Sequence, residues 1–193
     1  MTERKTHRMT VTAMLSAVAT VLMFLEFPLP FLVPPFIKMD LSELPALLAA
    51  FSLGPAYGVA VCLVKNLFNL LHTYSGGIGE LANFLLGAVY VFVAGTLYQH
   101  YKSRRGALAA SALAAVAMAL ASVPVNYFIS YPFYQKLMPL EQILAAYEHI
   151  RPGADSLLEC LLLFNLPFTL VKGILVAAIC FFIYKPLSPL LHR

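Results

Sequence analysis

The sequence contains few charged residues. Only 11% of its 193 residues are charged and 61% are apolar, whereas an average soluble domain is about one quarter charged and roughly half apolar. So small a charged fraction cannot cover a water-facing surface, which excludes an ordinary soluble domain. Because a membrane-spanning helix needs about 20 apolar residues, the chain has room for about five or six spans. We therefore expect one transmembrane domain over residues 1–193.

Cysteines and catalytic signatures are also scarce. Cys62, Cys160 and Cys180 lie in apolar stretches without CxxC spacing or neighbouring histidines, which indicates packing residues and neither a disulfide framework nor a metal site. The motifs HExxH, GxSxG and GxxxxGK[ST] are missing. Asp40 and Glu43 have the spacing of a carboxylate pair, but Asp-Leu-Ser-Glu before an apolar run is more typical of a helix start. Without a nucleotide motif, a transport function would need an outside energy source.

Apolar runs predict an all-α integral membrane protein with six transmembrane helices. The predicted helices cover residues 9–25, 44–53, 58–72, 80–99, 107–127 and 157–184. The second is only about half a span long. After the first helix, residues 26–43 contain four prolines that forbid a continuous helix, so we expect a long, ordered, apolar loop on the external side.

Basic residues indicate the orientation. With six spans, one side receives eight lysines and arginines: Arg4, Lys5, Arg8, Lys102, Arg104, Arg105, Lys185 and Arg193. The opposite side receives three: Lys38, Lys136 and Arg151. Because cytoplasmic loops are enriched in lysine and arginine, both termini are predicted to be cytoplasmic.

Polar residues recur inside the predicted spans, where a central ionisable group costs roughly 2.5 to 3.5 kcal/mol. They are Lys65, Asn69 and His72 on helix three, Glu80 and Asn83 on helix four, Asn126 on helix five, and Asn165, Thr169 and Lys172 on helix six. Most fall in the outer half of the membrane, so together they could line one pocket. Alternatively, the asparagines are hydrogen-bonding contacts between helices, Glu80 favours its helix dipole, and Lys65 neutralises a carboxylate or snorkels.

Three segments then resemble a known family. FPLPFLVPPFIKMDLSELPALLAAFSLGPAYG, KNLFNLLHTYSGGIGELANFLLG and PFTLVKG resemble, in this order, the riboflavin-specific substrate-binding subunits of energy-coupling-factor (ECF) transporters. The resemblance covers nearly the whole chain. It implies a subunit of the bacterial cell membrane that captures riboflavin from outside and is not an enzyme. It also implies a separate transmembrane coupling (T) subunit and two cytoplasmic ATPases as partners, with riboflavin as transported ligand and no cofactor.

The same resemblance implies particular contacts. The riboflavin-binding residues would be Glu80, Asn83, Asn126, Thr169 and Lys172, with loop residues around Leu32 and Met39. Many relatives are expected to have asparagine where this chain has Thr169, so Asn165, one turn earlier, is an alternative contact. The small residues Ala13 and Ala17 on helix one would dock the coupling subunit, although spacing alone equally fits packing inside the bundle.

Other functions fit parts of the pattern. The same architecture could take another vitamin, such as thiamin or pantothenate, or a related flavin such as FMN. A structural subunit of a membrane complex would use the polar residues only as contacts between helices. An intramembrane enzyme would use His72, Glu80 and Lys172.

Overall fold

A computed structural model of the chain describes residues 2–73, 75–153 and 156–191, and side chains within 4–183 of these ranges. Within these ranges nine α-helices follow in chain order: α1 Thr2–Phe24, α2 Glu43–Ser52, α3 Pro55–Asn69, α4 Ile78–His100, α5 Arg104–Val125, α6 Tyr131–Leu137, α7 Leu140–Glu148, α8 Leu157–Cys160 and α9 Leu166–Leu191. Arg193, which contributes to the predicted orientation, lies outside the described residues.

Long apolar helices dominate the molecule, as the composition predicts. Over the described ranges, four helical segments are long and apolar enough to cross a membrane: Arg4–Phe24, Ile78–His100, Arg104–Leu137 and Leu157–Ile183. The remaining two predicted spans correspond to the short helices α2 and α3, of 10 and 15 residues. The structure therefore has the expected helical, membrane-type character, and four of its described helical segments have the length of a full span.

The short helix α2 lies in the centre of the bundle. Eight of its ten residues are buried, and it contacts α1, α3, α4 and α9. Gly54, with φ +118°, makes the sharp turn into α3. At Gly58 of α3 a Cβ atom would lie 2.8 Å from the carbonyl oxygen of Ala46, so only glycine permits this close approach of the two helices. A helix that is apolar on all faces and too short to span is thus accommodated as core.

Two widened, π-helical turns interrupt the long helices. The turn Asn126–Ser130 joins α5 to α6, and the turn Leu161–Asn165 joins α8 to α9. Each occurs close to a proline, Pro124 or Pro167. Such turns let a helix continue where its regular hydrogen-bond ladder is disturbed.

Helix α5, Arg104–Val125, ends close to the predicted end at residue 127. The helical path continues through the π-helical turn and α6, so that the segment Arg104–Leu137 has 34 residues. At 1.5 Å per residue it is roughly 50 Å long, which exceeds a hydrocarbon core of about 30 Å.

The proline-rich loop forms a small hairpin. Strand β1, Phe27–Pro28, pairs antiparallel with β2, Lys38–Met39, an element that the all-α prediction did not contain. Val33, at the far side of the loop, is fully buried in an apolar cluster with Tyr131, Ile143 and Tyr147. The loop therefore packs on α6 and α7 through Val33, while Phe31 and Leu32 stay exposed.

Candidate ligand-binding site

A cavity of about 250 Å³ lies between the hairpin loop and the ends of α3, α4, α5 and α9. The family resemblance implies eight ligand contacts. Six of them line this cavity: Glu80, Asn83, Asn126, Asn165, Thr169 and Lys172. These side chains come from three different segments of the chain, so the fold alone brings them together.

The two predicted loop contacts do not line the cavity. Leu32 is 51% exposed, and Met39 is buried elsewhere. The residues at the cavity that precede α2 in the loop are Glu26, Phe36, Ile37, Lys38 and Asp40. Met39 lies in β2, where successive side chains point to opposite faces. Its neighbours Lys38 and Asp40 face the cavity, so Met39 faces away.

The floor of the cavity is a buried cluster of four charged residues, which we call the charge cluster: Asp40, Glu43, Lys65 and Lys172. The Lys172 Nζ lies 2.8 Å from Asp40 Oδ2 and 3.1 Å from Glu43 Oε2, and the Lys65 Nζ lies 2.9 Å from Glu43 Oε1. Ser42 connects them further: its backbone N–H donates to Asp40 Oδ1 over 2.8 Å, and its hydroxyl contacts Asp40 and Lys65.

This cluster corrects the interpretation of Asp40 and Glu43. Helix α2 does begin at Glu43, but the Ser42 side chain makes no capping hydrogen bond. Burial by itself would raise the pKa of Asp40, yet the Lys172 and Lys65 ammonium groups hold it well below its usual range. The two carboxylates therefore neutralise two lysines inside the bundle, which accounts for Lys65 in an otherwise apolar helix.

Glu80, which also lines the cavity, is held by neutral donors. Its Oε1 accepts a hydrogen bond from Asn69 Nδ2 over 3.2 Å, and its Oε2 accepts from Thr73 Oγ1 and Ser75 Oγ, each over 3.0 Å. The preceding turn passes through Gly77, with φ +93°, whose N–H donates to Thr73 Oγ1 over 3.0 Å. Glu80 is only 6% exposed, so more than a helix dipole orients it.

The π-helical turns present three polar side chains to the cavity, namely Asn126, Ser130 and Asn165. The Ser130 hydroxyl is buried and has no hydrogen-bond partner among the described residues. A buried hydroxyl without a partner costs free energy unless a ligand or water supplies one. Ser130 is thus a candidate contact that the sequence did not indicate, and only its place in the widened turn identifies it.

Asn165 is fixed by two tyrosines. The Tyr147 hydroxyl donates to Asn165 Oδ1 over 2.6 Å, and Asn165 Nδ2 donates to the Tyr131 hydroxyl over 3.5 Å. The two hydroxyls also contact each other. Thr169, one turn later, lines the same cavity without a side-chain hydrogen bond of this kind. Both predicted alternatives are at the cavity, with the Asn165 carbonyl oxygen already engaged.

A second, outer groove of about 710 Å³ lies between α1 and α3. Ala13 and Ala17 line it, and both are exposed, whereas Ala19 of the same helix is fully buried. Opposite them the groove is lined by α3 residues that include Tyr57, Val64 and Phe68. The face carrying Ala13 and Ala17 is therefore not packed inside this bundle.

Comparison with known proteins identifies the family. The family described as "ECF transporter, substrate-specific component" matches residues 7–184. This chain belongs to that family. It is therefore a membrane transport subunit, and the hypothesis of an intramembrane enzyme is wrong.

Individual relatives match over almost their full lengths. The chain is 34% identical to the riboflavin transporter RibU of Staphylococcus aureus, over 98% of this chain and 95% of that protein. It is 30% identical to the riboflavin transporter FmnP of Bacillus subtilis, over 98% and 96%. A solved S component of a bacterial ECF transporter superposes with a TM-score of 0.76 at 32% identity, covering 98% of this chain and 99% of that one.

Proposed function

We propose that this chain is the substrate-binding subunit that captures riboflavin for an ECF transporter. The observation that carries the proposal is the cavity in which six predicted contacts, from Glu80 to Lys172, meet beneath the hairpin loop. The proposal also draws on the two relatives, which are riboflavin transporters and match this chain over nearly their whole lengths.

The lining of the cavity suits the chemistry of this vitamin. Riboflavin has a flat apolar ring system, a uracil-like edge with alternating donors and acceptors, and a ribityl chain of hydroxyls. The amides of Asn83, Asn126 and Asn165 offer both donors and acceptors for such an edge. Phe36 and Phe168 supply aromatic faces for the ring system, and the Glu80 carboxylate accepts hydrogen bonds from hydroxyls.

The subunit would work in a bacterial cell membrane with both termini in the cytoplasm. In this arrangement α2 and α3 complete six crossings, and the hairpin loop covers the cavity from outside. A transmembrane coupling (T) subunit and two ATPase subunits would supply the energy. The exposed face of Ala13 and Ala17 is the proposed docking surface for the coupling subunit, since small side chains permit close approach of another helix.

Purification in detergent tests the proposal directly. The protein from cells grown with riboflavin should show flavin absorption, and ligand-free protein should quench the fluorescence of added riboflavin in a saturable titration. An excess of thiamin or pantothenate should leave this titration unchanged, which separates riboflavin from the other vitamins considered. A colourless protein that fails to quench riboflavin would contradict the proposal.

A further inference from the structure

The charges around the cavity do not balance. Three lysines each pair with a carboxylate within 3.1 Å: Lys38 with Glu26, Lys65 with Glu43, and Lys172 with Asp40 and Glu43. Within the described residues, Glu80 has no lysine or arginine in ion-pair contact. One acidic residue at the cavity is therefore left without a cation.

The side chains that donate hydrogen bonds to Glu80 do not neutralise its charge. Its three hydrogen-bond donors, on Asn69, Thr73 and Ser75, are neutral groups. Because an ionised carboxylate only accepts hydrogen bonds, three donors on its two oxygens match the charged form. His72 also lines the cavity, but it is exposed and meets Phe24 edge-on, with ring centroids 5.3 Å apart.

The remaining cations at the cavity are already engaged. Lys38 contacts Glu26, and Lys172 lies between two carboxylates. No arginine lines the cavity in the part of the chain that the structure describes. A phosphate group, which carries about −1.5 to −2 charges at pH 7, would therefore find no unpaired cation and would face an unbalanced carboxylate.

We propose that Glu80 is a specificity-determining residue that selects flavins ending in hydroxyl groups over their phosphate esters. The inference rests on the proposed function. Hydroxyls of a ribityl chain can donate to the Glu80 oxygens, whereas a phosphate is repelled wherever it lies in so small a space. A cavity of about 250 Å³ is roughly 8 Å across, and like charges at that separation and an effective dielectric constant of about 20 weaken binding by roughly tenfold or more.

Three ligands distinguish the effect of ligand charge on affinity from the effect of ligand size, with the unaltered protein. Dissociation constants are measured in detergent by fluorescence quenching for riboflavin, for FMN, and for 5′-O-acetylriboflavin, which is an uncharged ester. We expect FMN to bind at least tenfold more weakly than the acetyl ester. Equal affinities for FMN and riboflavin, or equally weak binding of both esters, would overturn the inference while leaving riboflavin capture intact. Failure to bind any of the three would contradict the proposed function itself.

Substitutions of Glu80 then test whether this residue causes the weaker binding of FMN. In Glu80→Gln the ratio of the FMN to the riboflavin dissociation constant should fall by roughly tenfold. In Glu80→Asp, which keeps the charge, the ratio should stay high. Glu141→Gln makes the same change at an exposed position of α7 and should leave the ratio unaltered. A ratio in Glu80→Gln that matched the unaltered protein would overturn the assignment, and if this variant fails to fold, the comparison of the two esters still decides.

Discussion

The Lys172 ammonium group lies 2.8 Å from the Asp40 carboxylate, although the two residues are 132 positions apart in the chain. The contact joins α9 to the loop that covers the cavity. Glu43 of α2 holds the same ammonium group from another side, at 3.1 Å. The loop is therefore fastened to the bundle by charge as well as by the apolar contacts of Val33.

The stability of the protein should depend more on the overall neutrality of the charge cluster than on any single ion pair within it. Asp40→Asn leaves a buried excess of positive charge, and removing one partner of a buried ion pair costs about 3 to 5 kcal/mol. We expect a clear fall in melting temperature in detergent. The double variant Asp40→Asn/Lys172→Met restores neutrality and should be more stable than Asp40→Asn alone. If the two substitutions destabilised additively, the cluster would not act as a coupled unit.

Asn126 should contribute directly to ligand binding. Its amide lines the cavity from a π-helical turn, and a hydrogen bond to a polar ligand is worth about 0.5 to 1.5 kcal/mol net. Asn126→Ala should therefore raise the riboflavin dissociation constant by about two- to tenfold, measured by fluorescence quenching. Gln135→Ala, on the exposed side of α6, is the control and should bind like the unaltered protein. An unaltered constant in Asn126→Ala would remove this residue from the site.

The Tyr147 hydroxyl should stabilise the π-helical turn that leads into α9. Tyr147→Phe leaves the Asn165 carbonyl oxygen without its 2.6 Å donor, and a buried acceptor left unpaired costs about 1 to 3 kcal/mol. Thermal unfolding in detergent should show this loss. Tyr127→Phe removes a hydroxyl from a tyrosine that is 40% exposed and should have little effect. Equal melting temperatures for the two variants would argue that the tyrosine cluster contributes nothing to stability.

The loop should control ligand release through Phe36, which lines the cavity and lies against Tyr147, with ring centroids 6.1 Å apart. Phe36→Ala removes this aromatic contact, so riboflavin should dissociate faster in stopped-flow experiments. Phe31→Ala makes the same change in the same loop at a side chain that is 70% exposed, and its release rate should be unaltered. Identical rates in the two variants would show that the loop covers the site without holding the ligand.

Ala13→Trp should separate ligand binding from transport. Ala13 is exposed in the outer groove and does not line the cavity, so a bulky side chain there should block docking of the coupling subunit and leave the riboflavin dissociation constant unchanged. Uptake by whole cells and co-purification with the coupling subunit measure the loss. Val18→Trp, on another exposed face of α1, should transport normally. A joint loss of binding and uptake in Ala13→Trp would indicate internal packing.

Long apolar runs made much of the architecture predictable. The helix expected at 80–99 covers Ile78–His100 in the structure, because its apolar run has no internal proline. The predicted end of helix five at 127 lies close to the end of α5 at Val125, but the continuation of the helical path to Leu137 was not predicted. The sequence does not show that a π-helical turn lets the helix continue past Pro124. Such an adjustment depends on tertiary contacts and not on local propensity.

The polar cavity was predictable for a physical reason, whereas the charge cluster was not. Glu80, Asn126 and Lys172 stood out because polar groups inside a membrane are costly. Asp40 and Glu43 were missed because they occur where a helix start also prefers acidic residues. Their partners are remote in sequence. A usable signal was nevertheless present, because a lysine within an apolar run requires a carboxylate somewhere in the fold.

Because Lys172 contacts both Asp40 of the loop and Glu43 of α2, the position of the loop determines the net charge of the charge cluster. If the loop were displaced from the bundle, Asp40 would leave with it, while Glu43 would stay on α2 between Lys65 and Lys172. Without Asp40 the charge cluster would carry one net positive charge, and with Asp40 in place it carries none. Seating the loop would therefore neutralise the cluster. High ionic strength, by screening Asp40 while it is in water, should favour displacement of the loop.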